Sequence, residues 1–172
     1  MRLKIVLTLG FLSLAACVEP VTTSTPSKSV DQLNDELETL AGRAFPSCIE
    51  HAAYGTPPPS AAMEKLGFSQ RRVLGVDVVV RSPSGSNSLF DDRWVSFSYQ
   101  KRENACLFTA TNLGGGRWVT AGFVRTQLKQ QGWKHVANKT KSKFVYAKGE
   151  KEIVMSGQST GGQTQFTLKI QN

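Results

Sequence analysis

Residues that carry chemistry are scarce in this chain. It has three cysteines and two histidines, no Cys-x-x-Cys pair and no His/Cys cluster, which excludes the common zinc and dithiol redox patterns. A hydrophobic run able to cross a bilayer is also missing: about 20 apolar residues are needed to span ~30 Å of hydrocarbon, and residues 5–14 form the longest stretch. There is no Gly-Lys-Ser/Thr phosphate loop and no spaced dinucleotide fingerprint. Acidic residues nearly vanish from the last third, where Glu150 and Glu152 face ten Lys/Arg within residues 113–172. No metal or organic cofactor is expected from these residues.

What is present begins with an export signal. Arg2 and Lys4 give a charged start, residues 5–14 a short apolar region, and Leu14-Ala15-Ala16-Cys17 a run of small residues ending in cysteine. In that motif the chain resembles the bacterial lipoprotein family. The resemblance covers the signal alone. It implies removal of residues 1–16, a diacylglycerol thioether on Cys17, and commonly an acyl chain such as palmitate on the new amino terminus. Several chains anchor where one binds only reversibly, since each buried methylene contributes about 0.8 kcal/mol. In the family, Asp after the cysteine commonly retains the protein in the inner membrane; Val18 stands here. The expected location is therefore the periplasmic face of the outer membrane, with the inner membrane as the alternative.

Residues 17–30 mix Pro, Ser and Thr without an apolar period and read as a flexible tether. With Cys17 assigned to lipid, Cys48 and Cys106 remain, and an oxidising compartment favours a disulfide between them. Its loop of about 58 residues corresponds to roughly 4 kcal/mol in the chain-entropy picture.

After the tether, Leu33, Leu37, Leu40, Ala41 and Ala44 recur at helical spacing behind an acidic first turn, with Ser29 or Asp31 as cap. Pro46 is expected to interrupt that helix and open a second short one carrying Cys48. Pro57, Pro58 and Pro59 force a break. Ser60 then caps a helix that Gly67-Phe68 closes. A period of two follows in Val76/Val78/Val80, Val95/Phe97/Tyr99 and Cys106/Phe108, with a polar loop over residues 82–92.

The order then repeats. Gly114-Gly115-Gly116 precedes a helix over residues 120–131 that Gly132-Trp133 closes, and alternating segments return at Phe144/Tyr146, Ile153/Met155 and Phe166/Leu168/Ile170. The expected class is α+β, with antiparallel sheets bearing helices on one face. Residues 31–112 and 113–172 read either as two tandem helix-strand-strand-strand units, the first with the disulfide and the second basic, or as one irregular α+β domain whose halves match by chance. In outline this is similar to the tandem helix-on-sheet plan of β-lactamase inhibitory proteins. The likeness is one of element order, so no inhibitor site is carried over.

Catalytic patterns are weak. Gly157-Gln158-Ser159-Thr160-Gly161 satisfies Gly-x-Ser-x-Gly, but strand-like sequence follows it and no histidine lies downstream, so a hairpin is expected. His51 and His135 each have a structural explanation, and Asp91-Asp92 reads as a solvated loop. No catalytic residue is assigned. Charge is the remaining functional signal: residues 17–112 carry 9 Lys/Arg and 11 Asp/Glu, a net of −2, whereas residues 113–172 carry 10 and 2, a net of +8. Lys134, Lys139, Lys141, Lys143 and Lys148 are the candidate anion-binding residues, with Lys151 nearby. The same lysines would also discourage edge-to-edge sheet association.

In an envelope compartment the anions are lipid A phosphates, phospholipid headgroups and peptidoglycan carboxylates, not nucleic acid. The functional expectation is a non-enzymatic lipoprotein, held on the membrane by its lipid, that binds or scaffolds an envelope protein. The alternatives are an anion-binding module for peptidoglycan or lipopolysaccharide, and a cell-envelope enzyme of unspecified reaction.

Overall fold

The computed structural model describes residues 28–73, 76–82, 85–86, 92–113, 121–141, 143–160 and 163–171. The signal, Cys17, most of the tether, Asp91 and Gly114-Gly115-Gly116 lie outside the described residues.

Helix α1 spans Val30–Tyr54. Of the two expected caps, Ser29 serves: its Oγ accepts from the Gln32 amide at 3.2 Å, and Gln32 Oε1 accepts from the Ser29 amide at 2.9 Å. This reciprocal capping box satisfies two groups at the helix start. The break expected at Pro46 does not occur, and α1 runs through it without interruption. A mid-helix proline costs about 3 kcal/mol. Here the residue four positions earlier, whose carbonyl the ring crowds, is Gly42. Burial continues on both sides of the proline, with Leu37, Ala41, Ala44 and Phe45 before it and Cys48, Ile49, Ala52 and Ala53 after it, and a single fully buried large apolar side chain contributes about 1.5–3 kcal/mol.

The short helix α2 covers Ser60–Lys65, with Pro59 and not Ser60 at the N-cap position and no side-chain cap bond. Its end is built like that of helix α3, Ala121–Gln130. Gly67 (φ 88°) and Gly132 (φ 81°) both adopt the left-handed conformation. The amide of Phe68 donates to the Met63 carbonyl, and that of Trp133 to the Leu128 carbonyl, at 3.0 Å in each case. Both are Schellman closures, and each delivers a buried aromatic to the core.

One antiparallel sheet follows from nine strands: β1 (Ser69–Val73), β2 (Val76–Arg81), β3 (Gly85–Ser86), β4 (Asp92–Gln100), β5 (Ala105–Thr111), β6 (Lys134–Thr140), β7 (Lys143–Lys148), β8 (Lys151–Thr160) and β9 (Gln163–Ile170). The order is β1-β2-β4-β5-β9-β8-β7-β6, with β3 paired to β4. The class is α+β, as expected. Two expectations are corrected among the described residues. Each half supplies four strands to the main path, not three, and the strands make one sheet because β5 pairs with β9 from Ala105↔Lys169 to Thr111↔Gln163. The two added strands, β1 and β6, are the edges.

All three helices lie over one face. Phe45 of α1 sits edge-on to Phe97, Phe108 and Phe123 at centroid distances of 5.7, 5.3 and 5.6 Å. The predicted disulfide is present: Cys48 and Cys106, both buried, join α1 to β5 with their Cα atoms 5.4 Å apart, within the usual span.

Candidate functional site: a cationic groove with an aromatic floor

Helix α3 turns Phe123, Val124 and Leu128 into the core. One helical turn apart on its exposed side stand Arg125 and Lys129, since residues i and i+4 share a face. The Schellman closure at Gly132 then reverses the chain, buries Trp133 and leads directly into β6. In the β6–β7 hairpin His135 pairs with Tyr146 and Asn138 with Phe144. Tyr146 belongs to the core beneath the helices, and Phe144 packs against that core while partly exposed.

Between α3 and this hairpin lies a groove of about 560 Å³, lined by Arg125, Lys129, Trp133, Lys134, His135, Asn138, Phe144 and Tyr146. Its size falls within the ~300–1,000 Å³ usual for ligand sites. The guanidinium carbon of Arg125 lies 4.3 Å from the Phe144 ring centroid. The same guanidinium lies near enough to the Tyr146 hydroxyl to act on it electrostatically. Burial pushes the Tyr146 pKa up from its ordinary value, and the nearby Arg125 charge pulls it partly back. His135 is edge-on to Tyr146 at 5.4 Å, and its Nε2 meets Asn138 Oδ1 at 2.8 Å. Three formal positive charges therefore line the groove, with no carboxylate in its walls among the described residues.

The five lysines singled out by sequence do not form one surface. Lys134 lines the groove. Lys139, Lys141 and Lys143 gather around the β6–β7 turn, just beyond Asn138 and Phe144 at the end of the groove and outside its lining. Lys148 and Lys151 pair across the β7–β8 turn. The groove's other cation-bearing residues, Arg125 and Lys129, were not singled out, although their four-residue spacing opposite Phe123, Val124 and Leu128 is visible in the sequence.

The remaining candidates take structural places. His51 is buried, its Nδ1 is 2.8 Å from the Thr56 carbonyl, and its ring stands edge-on to Tyr99 at 5.3 Å. Tyr99 in turn meets Ser47 Oγ at 2.6 Å. Ser159 lies within β8, its hydroxyl donates to the Gln163 carbonyl at 3.3 Å, and strand β9 follows. The expected hairpin accounts for the Gly-x-Ser-x-Gly string. Asp92 opens β4 and pairs with Ser86. Among the described residues no group of three His, Cys, Asp or Glu could hold a metal ion, and no helix is long and apolar enough to cross a membrane.

No protein-family model, curated protein or solved structure matches the chain.

Proposed function

We propose that this protein is a membrane-anchored, non-enzymatic binding component of the bacterial cell envelope, and that the groove between α3 and the β6–β7 hairpin takes an anionic envelope ligand, in lipopolysaccharide or peptidoglycan. The groove carries this reading. Three cations face one space with no neutralising carboxylate among the described residues that line it, and one of them is pre-positioned over an aromatic ring. The Leu14-Ala15-Ala16-Cys17 motif supports lipid anchoring on the periplasmic face of the outer membrane, and the Cys48–Cys106 bridge agrees with an oxidising compartment.

Sedimentation of the full chain with purified lipopolysaccharide and with peptidoglycan tests the proposal. Retention should fall steeply between about 0.1 and 1 M salt, as the Debye length shrinks from ~10 to ~3 Å. The double reversal Arg125→Glu/Lys129→Glu should abolish it. Unchanged retention of that variant refutes the groove as the site.

A second reading, docking of an envelope protein, is favoured by β6, an edge strand whose seven residues are all exposed. Cross-linking from a photoreactive residue at Val136 would capture such a partner. We also propose that the halves arose by tandem duplication. Support comes from the paired Schellman closures, each followed by an edge strand, and from the mirrored strand order that brings the last strand of each half together at the centre.

A further inference from the structure

We infer that the ligand of this groove is a phosphorylated sugar, its phosphate held by Arg125, Lys129 and Lys134 and its ring laid against Phe144. The inference rests on reading the groove as the binding site and goes on to name the chemistry. Charge matching comes first. A carboxylate brings a single negative charge and would leave two of the three cations unbalanced in a space without acidic walls. A phosphate monoester brings about −1.5 to −2 near neutral pH and three acceptor oxygens, enough to engage all three side chains at once.

Geometry points the same way. A guanidinium held over a ring, as Arg125 is over Phe144, loses little further freedom on binding and presents its planar N–H fork to an oxyanion. The anion is only part of what the groove accommodates. Phe144, partly exposed above the buried Tyr146 and Trp133, gives the groove an apolar wall suited to the C–H face of a pyranose. Asn138 and His135 stand beside that wall. Their mutual bond uses the Asn138 oxygen and His135 Nε2, which leaves the amide NH2 group and Nδ1 for sugar hydroxyls. Inorganic phosphate would leave this part of the groove empty.

Calorimetric titration of the full chain in detergent tests the assignment with four small probes: N-acetylglucosamine 1-phosphate, N-acetylglucosamine, inorganic phosphate and N-acetylmuramic acid, whose charge is a carboxylate. The phosphosugar should bind at least tenfold more tightly than the other three. Arg125→Gln should erase that preference, and Lys169→Gln, outside the groove and paired with Glu103, should leave it intact. If inorganic phosphate binds as tightly, the ring is idle and the inference is overturned. If N-acetylmuramic acid binds as well or better, the phosphate assignment is overturned while the groove stands as an anion site. If no probe binds and Arg125→Gln leaves retention on envelope polymers unchanged, the groove itself falls. Vesicles carrying lipid A, compared with the soluble phosphosugar, separate the sources: tighter binding to the vesicles assigns the phosphosugar to a lipid headgroup, equal binding to a free one.

Discussion

Gly157 offers the sharpest test of the packing. A Cβ added there would lie 2.7 Å from Cε1 and 2.9 Å from Cδ1 of Phe166, its direct partner on β9. The ring cannot easily retreat, because on its other side Phe166 pairs with the fully buried Phe108. Overpacking of this kind costs about 1–3 kcal/mol, and exchanging a strand glycine for alanine returns about 0.5–1 kcal/mol. The net expectation for Gly157→Ala is destabilisation within a range of about 0–2.5 kcal/mol, centred near 1. Each kcal/mol amounts to roughly 3–4 °C for a chain of this size. Thermal unfolding followed by far-UV circular dichroism, with the disulfide intact, reads the shift. In a Phe166→Leu background the same substitution should cost markedly less, since the clashing ring is gone. A melting temperature that rises in Gly157→Ala, or an equal loss in both backgrounds, refutes the close-approach argument.

Other outcomes follow from the same structure. Replacing Cys48 and Cys106 together by alanine should lower stability by about 2–5 kcal/mol, read as a lower midpoint in urea; a smaller loss means that the bridge constrains little. Burial holds the Tyr99 pKa well above its ordinary value, and the hydrogen bond with Ser47 offsets only part of that shift. The folded state therefore binds this proton more tightly than the unfolded chain. The stability it contributes is complete below about pH 10, the ordinary tyrosine value, and is lost as pH rises above that toward the folded-state pKa. Tyr99→Phe should flatten the alkaline decline of the urea midpoint, and an unchanged slope would refute the linkage.

The legibility of this fold tracked burial. Strands β4, β5, β8 and β9 have one face in the core, so their period of two survives in sequence as Val95/Phe97/Tyr99 or Ile153/Met155. The edges had no such signal. Ser69–Val73 and Lys134–Thr140 are polar, as edge strands that resist sheet association tend to be, and polar sequence without alternation reads as loop. Local preference misled at Pro46, where the long buried stripe of α1 outweighed a single breaker. For the groove, the aromatic and basic character of the second half was visible. Its assembly was not, because Arg125 and Lys129 come from a helix and meet Phe144 and Tyr146 only through the Gly132 reversal. Counting lysines favoured the crowded β6–β7 turn over the place where fewer cations converge with rings.

The pairing of β5 with β9 has a consequence for how the molecule comes into being. The partner that covers the inner edge of β5 is β9, the last of the described strands in chain order, so the first half keeps one flank of its sheet open until residues 163–170 are in place. Such a distant closure raises contact order and slows folding, and it makes β9 the seam of the sheet and not its hem. Trimming residues 163–171 would split the molecule down the middle, whereas in most sheets the loss of a terminal strand merely exposes a side.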